Sequence, residues 1–223
     1  MGMIMIVREH FDRDLRHLQD EILRMGSEVG ENLVTAVAAL RTRDLKRSQQ
    51  IIEADHWVNQ RQLALNMEAL TLIATQQPTA RDLRLIAAVM NIANELERIH
   101  DYAKGIGRIS LMMNSDPIPA NLMDEFPAMA EKTHSMLHRS LDAFINRDEA
   151  LAKSIPAEDD VVDDLFNIAL KKMTEAFMQN LTSYEDINRL GWANHNLERS
   201  ADRVGNICEW VGYMITGKFE EYA

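Results

Sequence analysis

Cysteine is almost absent from the sequence. Cys208 stands alone, so no internal disulfide and no zinc-ribbon spacing is available. A lone thiol fits a reducing compartment, and the expected location is the cytoplasm. Long apolar runs are missing as well. No stretch approaches the ~20 residues of a membrane span. The opening MGMIMIVREH is too short in apolar residues for a signal peptide, and Ile6 breaks the myristoylation pattern. Positive charge is in deficit, with a formal net charge of −11 over 223 residues. That sets nucleic acid and anionic lipid aside as main partners, because their phosphates are repelled. No glycine-rich phosphate loop occurs, so direct nucleotide binding is not expected.

Glycine, proline and aromatic residues are also few, whereas Leu, Ala, Met, Glu and Arg are plentiful. Those side chains lose little freedom in a helix. Apolar residues recur at alternating spacings of four and three: Phe11, Leu15, Leu18, Ile22, Met25, Val29. This predicts a long amphipathic helix to about residue 40. Ile51, Val58, Leu65 and Leu72 mark a second helix over 44–76, which Pro78 stops. Leu85, Val89, Ile92, Leu96, Ile99, Ala103 and Ile106 mark a third, over 80–113. The stretch MNSDPIPAN then reads as a linker. Three more helices are expected over 122–146, 148–181 and 183–217, the middle one kinked or interrupted at Pro156. No segment alternates with period two. The expected fold is all-α: two tandem, pseudo-repeated three-helix bundles made of six long helices. The first bundle is placed at 8–113, the linker at 114–121 and the second bundle at 122–217.

The halves read as copies. Arg43-Asp44 returns as Arg147-Asp148 and Asp55 as Asp159, each 104 residues on. ELERIHDYAKGIG returns as NLERSADRVGNIC, so Glu97 and Asp101 match Glu198 and Asp202 at an offset of 101. Internal duplication accounts for this better than chance.

Each copy carries a polar row beside its apolar seam, rotated ~100° from it. In the sixth helix the row is His195, Glu198, Asp202, Gly205, Glu209, and in the third it is Asn94, Glu97, Asp101, Lys104. The second helix of each half adds Asp55 with Asn59, or Asp159 with Asp163, again one turn apart. Asp159 keeps step with Val162, Phe166, Ala169 and Met173, so it borders the seam. Two unit charges ~6 Å apart repel by roughly 2–3 kcal/mol at an effective dielectric of about 20. Converging acids therefore need compensation: protonation, arginines or bound cations. Arg98 and Arg199 follow the glutamates but point ~100° away, so contact with the acids is not required of them. Asn94 either ligates through its carbonyl oxygen or hydrogen-bonds a ligand, and His195 is either a seam histidine or a ligand. An oxygen-rich set with at most one imidazole favours Fe, Mn, Mg or Ca over Zn. His100 is expected to be an ordinary, partly buried imidazole at the seam edge. A carboxylate-bridged di-iron oxidase or ferroxidase is the alternative reading. It lacks the duplicated Glu-x-x-His of such sites, since His195-x-x-Glu198 is reversed and occurs once. A scaffold whose acids face solvent without metal is the third.

The repeated LER…D, the D-x-x-x-D/N of the middle helices and the duplicated six-helix layout resemble the PhoU family, across about Phe11 to Gly217. That resemblance implies a cytoplasmic, non-enzymatic negative regulator of phosphate-starvation signalling. It implies an adaptor between the ATPase subunit of the phosphate ABC transporter and the phosphate-sensing histidine kinase. It also implies a homodimer that meets the membrane only through those partners. It further implies multinuclear iron or zinc clusters, one per bundle, with Mn or Mg as alternatives. The ligands carried over are Asp55, Glu97 and Asp101, then Asp159, Asp163, Glu198 and Asp202. Asn59, Asn94 and His195 complete the candidate metal set. Asn59 stands where the family usually has Asp, which weakens the first site.

Overall fold

The structure is a computed structural model that describes residues 2–113 and 118–222. Helix α1 spans Gly2–Thr42, α2 Leu45–Gln76 and α3 Ala80–Met112. A 3-10 turn at Ala120–Met123 precedes α4, Phe126–Asn146; then follow α5, Glu149–Ser154, and α6, Asp159–Met178, with a 3-10 turn at Pro156–Glu158 between them, and α7, Tyr184–Thr216. No strand occurs among the described residues. Of the linker expected at 114–121, positions 114–117 lie outside the described residues.

The heptad positions read from the sequence are the core. Leu18, Ile22, Met25 and Val29 of α1 are buried against Ile51, Val58 and Leu65 of α2 and the whole α3 seam from Leu85 to Ile106. In the second half Leu190, Leu197, Ala201, Val204, Cys208 and Val211 of α7 are buried in the same way. Burial of each large aliphatic side chain is worth about 1.5–3 kcal/mol. This periodicity, rather than propensity, fixes which helix faces meet.

Three boundaries differ from expectation. Helix α1 starts at Gly2, ahead of the first seam residue. Helix α4 starts at Phe126, four residues after Leu122, and holds Pro127 in its first turn, where a missing N–H costs nothing. The fifth helix is interrupted at Pro156, one of the two outcomes expected there, into α5 and α6, but the second piece stops at Met178 rather than near residue 181. Pro156 lacks the amide needed to continue the ladder, so the chain makes one tight turn and restarts at Asp159.

Duplication is visible in the backbone. Among the described residues, the non-glycine positions with positive φ are Arg43 and Arg147 (54° and 53°) and Gln77 and Asn180 (45° and 53°), which are two matched pairs. Asp44 and Asp148 each cap the next helix, accepting from Arg47 N at 3.0 Å and Leu151 N at 2.9 Å. Thr79 and Ser183 donate to Asp82 at 2.8 Å and Asp186 at 2.9 Å at the starts of α3 and α7.

The two bundles pack face to face, α3 on α7 and α1 on α4. Both pairs are antiparallel. Arg84 Nε donates to Met214 O at 3.4 Å, and Asn206 Nδ2 donates to Glu95 Oε2 at 3.3 Å. Along α1, Gly26 and Gly30 let α4 approach: a Cβ on Gly30 would lie 2.5 Å from His134, and one on Gly26 would collide with Leu141. The homologous helices thus meet as counterparts about a pseudo-twofold axis.

Candidate functional site

In the second half the restart after Pro156 puts Asp159 and Asp163 on the first turns of α6, where the helix dipole favours acids. Glu198 and Asp202 lie one turn apart on α7. The four groups act on one another. Asp159 is half-buried, and its carboxyl is pushed up to about 7, first by burial and then by the charges of Asp202 and Asp163. Glu198 is raised by burial and by Asp202, and Asp163 by burial and Asp202. A cavity of about 430 Å³ opens beside them, lined by Asp159, Asp163, Asp202, Gly205, Glu209 and Tyr222 among others.

Two oxygens there are orphaned. Asp159 Oδ1 and Glu198 Oε2 are buried without a hydrogen-bond partner. His195 Nδ1 stands 3.3 Å from Glu198 Oε2, at ion-pair distance but off the hydrogen-bonding direction. Arg199 does pair with Asp202, within α7. This corrects the expectation that it need not touch the acids: at i and i+3 a long guanidinium side chain swings back over its own turn. Arg203 also lines this cavity, and its guanidinium pairs with Glu95 of α3 at 3.5 Å.

The first half is built differently. Lys104 Nζ donates to Asp55 Oδ1 at 2.8 Å and to Asp101 Oδ1 at 2.5 Å, which ties α2 to α3. Asn59 Nδ2 donates to the other oxygen of Asp55 at 3.1 Å. Glu97 stays near these groups, raised by burial and then by Asp101 and Asp55. Asn94 is drawn away from the acids. Its Oδ1 accepts from Gln62 Nε2 at 2.6 Å and Asn66 Nδ2 at 3.3 Å, both on α2. His100 is fully buried, not partly so, and beyond a weak contact with the Ile51 backbone neither ring nitrogen has a well-formed hydrogen bond. Burial lowers its pKa, favouring the neutral ring.

Among the described residues, no three acidic, histidine or cysteine side chains are arranged as a ready-made metal-binding group. The second half nonetheless suits a cation chemically, because its carboxylates repel one another and two of their oxygens, Asp159 Oδ1 and Glu198 Oε2, are buried without a hydrogen-bond partner. The first half does not, because the charge of Lys104 already occupies the place between its acids. Lys104 was in the polar row of the sequence, three residues after Asp101. What the sequence did not give was its reach across to Asp55.

The PhoU domain family model matches residues 22–110 and again 126–211, one match per bundle. The chain belongs to the PhoU family. A PhoU homolog from Synechocystis sp., named as a phosphate-specific transport system accessory protein, is 33% identical over 96% of this chain and 94% of its own length. The PhoU protein of Edwardsiella tarda is 30% identical over 93% of this chain and 85% of its own. The crystal structure of the PhoU phosphate transport system regulatory protein from Streptococcus pneumoniae superposes with a TM-score of 0.85 at 29% identity, covering 94% of this chain and 99% of that one. PhoU from Pseudomonas aeruginosa gives 0.84 at 30% identity, over 93% and 100%. None of these relatives is named as an enzyme, in keeping with a PhoU chain read without catalytic residues. No helix among the described residues is long and apolar enough to cross a membrane.

Proposed function

We propose that this PhoU-family chain is a cytoplasmic regulator of phosphate uptake that holds phosphate-starvation signalling off when phosphate is plentiful. It acts as an adaptor between the ATPase subunit of the phosphate transporter and the sensor histidine kinase. It works as a homodimer and reaches the membrane only through these partners. The observation that carries the reading is the match of both bundles, over nearly the whole chain, to proteins named for this transport system.

Asp159, Asp163, Glu198 and Asp202, with His195, would hold the cation of the second half. A bound Fe, Zn, Mn or Mg would supply positive charge that offsets the clustered carboxylates and joins α6 to α7. Oxygen donors fit the harder ions best. The residues themselves do the remaining work. Burial of Asp159 keeps water from screening it, and Arg199 holds Asp202 in place beside it. The di-iron oxidase reading is not favoured, because the relatives are regulators.

Deleting the chain should switch on a phosphate-starvation reporter in phosphate-rich medium, and tagged protein should capture the transporter ATPase subunit from such cells. A silent reporter with no capture would overturn the adaptor reading. Glu198→Ala with Asp202→Ala should switch on the same reporter and lower bound metal. Repression and metal content both unchanged would remove the cation from the proposal.

A further inference from the structure

The two halves keep the same acids in the same register but differ in what stands between them. Glu97 and Asp101 match Glu198 and Asp202, and at that offset Lys104 matches Gly205. On the companion helix Asp55 matches Asp159, and Asn59 matches Asp163. We propose that Lys104 is the built-in counter-ion of the first half, so that this half takes up no divalent cation and cation binding is confined to the second. The proposal rests on the cation reading of the second half given above.

The geometry is specific. The ammonium of Lys104 contacts one oxygen of Asp55 and one of Asp101, on two different helices, with a side chain only 16% exposed. The remaining oxygen of Asp55 accepts from the Asn59 amide. Asn94, the matching partner of His195, is consumed by Gln62 and Asn66. Glu97 is thus the one carboxylate of the first set without a neighbour bonded to it in this way. A dication entering here would have to break two charge-assisted hydrogen bonds and then face the displaced ammonium at close range.

At Gly205 the opposite holds. Its position has no atom within 4 Å of where a Cβ would stand, and it lines the cavity beside Asp159 and Asp202. Arg199 pairs with Asp202 from within α7, and Asp202 in turn stands against Asp159, but no lysine bridges the two helices here as Lys104 does in the first half, and Asp159 Oδ1 has no hydrogen-bond partner. The arginine matching it in the first half, Arg98, is exposed. A lysine bridge between helices closes one site, whereas a local arginine pair leaves the other open.

The test is titration of the full-length, metal-stripped protein with Mn²⁺, followed by calorimetry and elemental analysis. Wild type should bind Mn²⁺, and Asp159→Asn with Asp202→Asn should abolish uptake. Lys104→Met should create new uptake, retained when the second-half acids are removed and lost with Glu97→Gln and Asp101→Asn. Without metal, Lys104→Met should lower the melting temperature, and Mn²⁺ should restore it. Gly205→Lys is the converse variant and has room to fold. It should weaken Mn²⁺ binding by about tenfold or more. Wild-type Mn²⁺ uptake that falls in part with Asp159→Asn plus Asp202→Asn and in part with Glu97→Gln would overturn the proposal while leaving the cation reading of the second half alive. Uptake by Lys104→Met but not by wild type would uphold Lys104 as the counter-ion of the first half and end the cation reading of the second. No new uptake by Lys104→Met would overturn the proposal.

Discussion

The backbone N–H of Tyr222 donates to Glu209 Oε1 at 3.2 Å, which turns the segment after α7 back along that helix. Phe219 stacks edge-on to Trp210, centroids 5.0 Å apart, and the Tyr222 ring seats over Gly212, where a Cβ would collide with its hydroxyl. Gly212→Ala should therefore dislodge the segment while leaving the bundle intact, since alanine favours the helix itself. Trypsin should cut after Lys218 several-fold faster in the variant, with little change in melting temperature. Equal cleavage would show that Tyr222 is not seated there.

Asp159 gives the metal-free protein a pH dependence of definite sign. Its carboxyl titrates near 7 in the native state, against about 3.8 in a free chain. The native state therefore holds the extra proton between those values, and stability falls as pH rises through this range. Melting in metal-free buffer should be higher at pH 5.5 than at pH 8, and Asp159→Asn should flatten the difference. A wild-type profile that rises with pH would contradict this.

Glu158 behaves in the opposite way. Lys132 and Arg139, both on α4, donate to its two oxygens at 2.5 Å and hold its carboxyl below the usual range. This contribution is present above the ordinary carboxylate pKa and is lost as pH falls through the depressed one. Glu158→Gln should cost about 1 kcal/mol in urea unfolding at pH 7, as expected of a partly exposed ion-pair network. The cost should shrink in acid.

His100 carries two buried nitrogens with no well-formed hydrogen bond, only a weak contact with the Ile51 backbone. Replacing such a group with an apolar one of similar size removes a desolvation cost of about 1–3 kcal/mol. His100→Leu should leave stability unchanged or raise it. A loss above about 2 kcal/mol would mean that the ring is held by contacts other than packing.

The sequence made the apolar seams legible because burial follows helical period, and Leu18, Ile22, Leu96 and Val204 are buried as that period requires. It made the four matched acids legible because duplication repeats spacing. It could not show how helices turn toward one another. Whether Lys104 crosses to Asp55, or Asn94 meets Gln62, depends on how α2 is rotated against α3, and no local pattern encodes that rotation. Arg199 was misjudged for a related reason: a Cα direction says little about where a long, flexible side chain ends. Pro156 announced a disturbance, and whether it bends or severs the helix depended on what packs beneath it.

The antiparallel seating of α3 on α7 and α1 on α4 is the arrangement that two identical half-chains would adopt as a symmetric pair. Such a pair must carry every substitution twice. Joined in one polypeptide, the halves are released from that rule, and a lysine can arise in one while its twin keeps a glycine. Fusion thus leaves the two halves free to answer the same clustered acids differently, one with a lysine mortared between helices and the other with an arginine folded back along its own turn.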